Sequence, residues 1–192
     1  LFGSSEEIAW QLRNDIYESV GLDCSVGVAS SKLLAKLASV AAKPQITSRG
    51  IQPGAGVCVV ERENQRNFLE AHPVEALWGV GVVTLQKLRS MGISTVRDLA
   101  AVPEAVLVEA LGASHGAHLC KLSRGIDVRR VDSERQRKSI SHEETFATDI
   151  YDRKVLESEI VRLSDAVSSR ARTQGTAGRT IQLKVRRPDM SF

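Results

Sequence analysis

The stretch "CSVGVASSKLLAKLASVAAKP", residues 24–44, changes period across two serines, and that switch limits the fold more than any other segment. Cys24, Val26 and Val28 alternate with Ser25, Gly27 and Ala29, which is the two-residue period of a strand with one shallow face. Ser30 or Ser31 then stands where a helix needs its N-cap, and the helical pattern continues through Ala42, with Leu33, Leu34, Leu37 and Ala41 on one side. Upstream, "SSEEIAWQLRNDIYESVG" spaces Ser4 and Glu7 as a capping box, predicts Ile8, Leu12, Ile16 and Val20 as a buried stripe, and ends at Gly21. "GVCVVE" (56–61) reads as a second strand, and helix, strand, helix, strand is an α/β layer. The intervening "QITSRGIQPGAG" (45–56), with Gly50, Pro53, Gly54 and Gly56, is expected to be a surface loop.

The next part, to about residue 125, reads as short helices stopped by glycine. "QRNFLEA" and "PVEAL" are helical, "WGVG" (78–81) is a tight hairpin, and "VVTLQKLRSMG" is a helix with Leu85, Leu88 and Met91 inward and Gly92 at its end. Thr95 with Asp98 forms a second capping pair, and two further helices end at Gly112 and Gly125. "IDVRRVDSERQRKS" has no apolar stripe and is expected to be a tether. A third part begins with a predicted strand, "KSISHEETF" (138–146), in which Ser139 and Ser141 share a face. Helix 153–174 follows with Leu156, Ile160, Leu163 and Val167 as its stripe, and then a strand, "GRTIQLKVRR", alternating Ile181, Leu183 and Val185 against cations. Two strands and a helix do not comfortably close a domain.

Charge is distributed unevenly. Residues 1–119 carry 10 Lys/Arg against 12 Asp/Glu, whereas residues 120–192 carry 16 against 11. A basic last third on a near-neutral body is compatible with a polyanion partner. Cys24, Cys58 and Cys120 lack CxxC spacing and fit neither a disulfide framework nor a structural zinc site, and Cys24 is expected in the core. No run of eighteen apolar residues or secretory leader is present, and the opening residue, Leu1, points to a chain that begins partway through a longer protein.

Three places carry candidate chemistry. On a helical wheel Lys36 lies about 40° and Lys43 about 20° from Lys32, so the lysines form one edge roughly 16 Å long. That edge is either a solvated helix face or an anion-holding one. Lys43 stands before Pro44, where the helix must stop. A Walker loop is excluded, because "GVASSK" lacks the required glycine spacing. In Trp78, Gly79, Val80 and Gly81 the glycines free the backbone to turn, and their amides, with those opening the next helix, suit a phosphate held without reading bases. A plain helix–helix turn is the alternative. In the third part Lys138, Ser139, Ser141, Arg179, Lys184 and Arg186 form a polar, cationic face suited either to solvent or to nucleic-acid backbone. His115 and His118 share a helical spacing but lack a third ligand, Glu143 and Glu144 point to opposite faces of their predicted strand, and no DxD pair occurs, so the residues alone do not support metal-assisted catalysis.

Taken in order, "CSVGVASSKLLAKLASVAAKP", "VEALWGVGVVTLQKLRSMGISTVRDLA" and "RKSISHEETF" resemble the Y-family translesion DNA polymerases, most closely the bacterial DNA polymerase IV type. The resemblance implies an α+β multi-domain fold. Residues 1–61 would be the C-terminal part of a partial α/β palm, 62–125 a helix-hairpin-helix thumb, 126–137 a linker, and 138–192 the first half of a ferredoxin-like little finger. It implies a nucleotide-binding role for Lys43 and DNA-binding roles for Trp78, Gly79, Val80, Gly81, Lys87, Lys138, Ser139, Ser141, Arg179, Lys184 and Arg186. It further implies templated nucleotidyl transfer by the full-length enzyme with Mg²⁺, whose ligands this chain lacks, so that the fragment alone is inactive. The implied partners are primer-template DNA, a deoxynucleoside triphosphate and a sliding clamp, for a cytoplasmic monomer with no membrane. Gln45 and the longer loop after "KP" depart from the family pattern. The competing reading is a non-catalytic helix-hairpin-helix module of another repair factor.

Overall fold

A computed structural model describes residues 3–133, 138–187 and 189. The chain divides into two compact units, Leu1–Val131 and Asp132–Phe192.

The first unit opens with α1 (Ser5–Val20), where Ser4 and Glu7 close the expected capping box and Gly21 exits with φ of 69°. β1 (Val26–Val28) leads through the Ser31 cap into α2 (Lys32–Ala41), and β4 (Val57–Val59) returns parallel to β1, with Gly27 opposite Cys58. The α/β layer is therefore present, built on two three-residue strands. Gly27 is where α2 meets the sheet: a Cβ there would overlap the Ala35 carbonyl oxygen and the Ser39 nitrogen. Cys24 is half-buried rather than in the core. The expected loop at 45–56 instead contains a hairpin, β2 (Gln45–Thr47) and β3 (Gly50–Gln52), pairing Ile46 with Ile51. Thr47 Oγ1 ties its turn by donating to the Gly50 carbonyl and accepting from the Arg49 amide. Backbone pairing defines this ribbon. Apart from half-buried Thr47 its side chains remain in solvent, so the apolar pattern carried no signal.

The predicted stripe of α1 is largely uncovered. Ala9 is buried, whereas Ile8, Leu12 and Val20 are 43%, 48% and 63% exposed. Two short strands present too small a surface to cover a sixteen-residue helix. On α2 the buried face is Leu33, Leu34, Leu37 and Ala38, not Ala41.

Seven pieces of helix follow: 3₁₀ turns at Arg62–Asn64 and Val74–Ala76, α3 (Gln65–Glu70), α4 (Val82–Ser90), α5 (Val96–Ala101), α6 (Glu104–Leu111) and α7 (Ala113–Ser123). Thr95 and Asp98 form the capping box of α5. Leu88 and Ile93 are buried beside the α4 exit, whereas Met91 faces outward, because α4 ends at Ser90 and the chain reverses at Gly92. Leu33, Leu34 and Leu37 of α2 join Leu69, Val74, Leu99, Leu107 and Leu119 in one apolar cluster, so α2 and the later helices share a core.

The second unit contains α8 (Arg153–Thr173), capped by Asp152, whose carboxylate accepts from the Lys154 amide. Leu156, Leu163 and Val167 are half-buried and Ile160 is 38% exposed. Neither expected strand forms among the described residues. Segments 138–146 and 178–187 make no ladder, and Ile181, Leu183 and Val185 are exposed. Alternation specifies which residues share a face, but a strand exists only when a neighbour takes up its backbone hydrogen bonds. Arg162 instead bridges Glu144 and Glu159, and Arg170 donates to the Ser141 carbonyl. Among the described residues no helix is long and apolar enough to cross a membrane.

Candidate nucleic-acid interface

The 78–81 hairpin is set by its flanks. Leu77 is buried, and its carbonyl accepts the Val80 amide at 3.2 Å, which closes the turn. Gly79 takes φ of 99°, and a Cβ there would come within 3.2 Å of His115 Cε1, so both backbone and neighbour call for glycine. Gly81 is extended and precedes α4; its Cβ position is open space, and the missing side chain leaves the approach to the amides clear. Its carbonyl accepts from the Leu85 amide at 2.8 Å. Among the described residues, the amides of Gly79, Gly81, Val82, Val83 and Thr84 find no acceptor. The expectation that Val80 adds its own N–H is corrected, since that donor is used inside the turn. The rim is exposed: Trp78 58%, Val82 74% and Val83 70%. Orphan amides at a helix start, reached over open glycine, form an anion-accepting edge.

Cations flank this edge unequally. Lys87 lies on the exposed side of α4 and donates to the Ala110 carbonyl at 3.5 Å. Lys36 Nζ donates to the Ala76 carbonyl at 3.3 Å, so this lysine braces the approach to the hairpin instead of lining a free edge. Lys32 is half-buried. Lys43 lies beyond α2, on a corner held where the Ala42 carbonyl accepts from the Gly56 amide and from Ser25 Oγ. Gly54 packs against the same corner, where a Cβ would overlap the Ala42 carbonyl oxygen. The Lys43 side chain is exposed and has no partner among the described residues. Trp78, Gly79, Val80, Gly81 and Lys87 are thus brought together, while Lys43 lies past the C-terminal end of α2, about two helical turns along from the mid-helix Lys36 that reaches the hairpin's approach. In the second unit Lys138, Ser139, Ser141, Arg179, Lys184 and Arg186 are exposed, but no strand aligns them on one face.

Near the hairpin, Asp127 and Arg129 were not singled out from sequence, and His115 was noted only for its helical spacing to His118. His115 lies beside Gly79 with Nε2 3.4 Å from Thr84 Oγ1. Asp127 and Arg129 fall in the expected tether, yet the Asp127 side chain is only 1% exposed. Its carboxylate accepts from Arg129 Nε at 2.7 Å, Arg129 Nη2 at 2.8 Å and the Leu33 amide at 3.0 Å. The Arg129 guanidinium hydrogen bonds, foremost, hold the Asp127 carboxyl below the usual carboxylate range, helped by the Arg129 and Leu33 amides against burial. The Arg129 guanidinium also lies 4.6 Å from the Trp78 ring centroid. The available sequence signal was an Asp-x-Arg pair directly after the Gly125 helix stop. Among the described residues no group of three His, Cys, Asp or Glu could hold a metal ion.

Three stretches of the chain match known protein families. Residues 1–40 match the model of the impB/mucB/samB family, residues 75–127 that of the DNA polymerase-iota thumb domain, and residues 137–192 that of the impB/mucB/samB family C-terminal domain. The chain is 43% identical over 181 residues to DNA polymerase IV of Streptomyces coelicolor, covering 94% of this chain and 36% of that protein. It is 35% identical over 189 residues to DNA polymerase IV of Desulfatibacillum aliphaticivorans, covering 98% of this chain and 45% of that protein. The chain therefore spans less than half the length of these relatives. An insertion ternary complex of Dbh DNA polymerase superposes with a TM-score of 0.57 at 25% identity, covering 69% of this chain and 36% of that one. A chimeric Y-family DNA polymerase of the Dbh type shares the fold at 23% identity, with a TM-score of 0.69 over 88% of this chain and 46% of that one.

Proposed function

Because this chain belongs to the Y-family DNA polymerases, within the impB/mucB/samB group, we propose that it is the thumb-centred part of a translesion DNA polymerase of the DNA polymerase IV type. Residues 1–61 are assigned to the C-terminal palm, 62–125 to the thumb, 126–137 to a linker and 138–192 to the first half of the little finger. The observation that carries the proposal is the set of acceptor-less amides at Gly79 and from Gly81 to Thr84, at the exposed rim of the hairpin. Such a set grips phosphate oxygens irrespective of base sequence, as an enzyme that must follow any template, damaged or intact, requires. Lys43, exposed on its pinned corner, is assigned to the triphosphate of the incoming nucleotide. Lys87 and the cations of the second unit are assigned to the DNA backbone.

Metal ions, Mg²⁺ in this proposal, neutralise charge that develops in phosphoryl transfer. The described residues do not fit such a centre, since no cluster of three ligating side chains is present among them. The role assigned to this chain is to hold and orient: amides and cations fix the duplex, and Lys43 fixes the phosphate tail. A sliding clamp, a monomeric state and a cytoplasmic location belong to the same proposal for the whole protein.

The test is binding of a labelled primer-template duplex at increasing salt. The expected result is affinity that falls steeply with salt and is indifferent to sequence, with Gly79→Ala weakening it about 10-fold or more because the turn cannot form at positive φ. In the full-length polymerase, Lys43→Ala is expected to impair nucleotide incorporation more than duplex binding. Equal losses in both would favour a non-catalytic helix-hairpin-helix module.

A further inference from the structure

We infer that Asp127 and Arg129 are positioning residues, a clasp that fixes the Trp78 edge of the hairpin to the N-terminus of α2 and so sets the phosphate-gripping amides relative to Lys43. The inference rests on the reading of the hairpin as a DNA-backbone grip. One buried carboxylate serves both ends. It accepts from the Leu33 amide in the first turn of α2, where the helix dipole favours an anion, and it takes both prongs of the Arg129 fork. The same planar guanidinium lies against the Trp78 ring, 4.6 Å from its centroid. Lysine has the charge but neither the fork nor the flat face, so the two contacts made together specify arginine.

Position separates this clasp from an ordinary stabilising contact. The hairpin is already anchored in the core through Leu77, and its turn is closed by the Val80 amide. The Trp78 ring on the rim remains more than half exposed, and Arg129 is the cation stacked on it. The helix seized by Asp127 is also the helix that leads to Lys43. A tie between rim and helix therefore fixes the orientation of the two proposed phosphate contacts, beyond what the core supplies.

The experiment uses the whole chain with Trp10→Phe, which leaves Trp78 as the sole tryptophan. Arg129→Lys and Asp127→Asn are compared with this parent for Trp78 emission, acrylamide quenching, thermal melting and duplex affinity by anisotropy, at a temperature where each is folded. Both variants are expected to red-shift and expose Trp78. Arg129→Lys is expected to weaken duplex binding about 3- to 10-fold, with an unchanged salt slope because no charge is lost. In a Trp78→Leu background the same change is expected to cost no further affinity, since the ring it positions is gone. Unaltered emission overturns the clasp, as does parental affinity in Arg129→Lys or an equal loss in both backgrounds. If Arg129→Lys does not fold, Asp127→Asn is put through the same two backgrounds, and failure of both to fold overturns the inference by making the pair a folding requirement. A parent that binds no duplex at low salt defeats the nucleic-acid reading itself, whereas a parent that binds beside variants that bind equally well defeats only the clasp.

Discussion

Gly27 lies where α2 crosses β1, and a methyl group there would overlap backbone atoms of Ala35 and Ser39. Side chains can rotate away from an intruder, but a hydrogen-bonded helix backbone cannot. Gly27→Ala is therefore expected to cost more than about 3 kcal/mol, above the common range for overpacking, read as a large fall in the urea midpoint or loss of folding. Asp127 makes a pH-dependent contribution of definite sign. Its carboxyl is held below the ordinary value, chiefly by hydrogen bonds from Arg129, so the folded state keeps it ionised where the unfolded chain protonates. Its stabilisation is complete above about pH 4 and is lost as pH falls below that toward the folded value. In melts from pH 6 to 2.5, Asp127→Asn is expected to be less stable than the parent at pH 6, with the gap narrowing in acid. A gap that stays constant would mean that the carboxylate is not paired in solution.

Among the elements, the β2–β3 hairpin is tied by its own backbone and by Thr47, while Ile46 and Ile51 are 89% and 75% exposed. Replacing both by Thr keeps β-branching and exchanges a solvated ethyl group for a hydroxyl at each position. The melting midpoint is expected to move by the equivalent of no more than about 0.5 kcal/mol. The helix boundaries were legible because their signals are local: Ser4 with Glu7, Thr95 with Asp98, and the turns at Gly21, Gly92, Gly112 and Gly125 each act within one or two turns of chain. The 78–81 hairpin was legible for the same reason. The use of the Val80 amide was not, because it depends on where the Leu77 carbonyl points once Leu77 is buried. The ribbon at 45–52 and the missing ladders in 138–146 and 178–187 were also beyond local reading, since each depends on the presence of a backbone partner.

For the whole molecule, the two units differ in what holds them. Every fully buried hydrophobic residue described belongs to Leu1–Val131, whereas α8 has no buried residue. Hydrogen exchange of the whole chain should accordingly show slow amides in α2, α5 and α7 and fast ones in α8. Equal protection in α8 would require a cover for Leu156, Leu163 and Val167 that the described residues do not provide. The sequence by itself determined the order of helices, the β1–α2–β4 layer, the glycine hairpin and the family resemblance, because periodicity, capping and turn chemistry act between near neighbours. Only the tertiary structure decided that α1 keeps Ile8 and Leu12 in solvent, that α2 shares its core with the helices after it, and that Asp127 reaches Leu33 while Arg129 reaches Trp78. An apolar stripe or a charged pair states what a residue needs, and only the folded chain determines whether a distant partner supplies it.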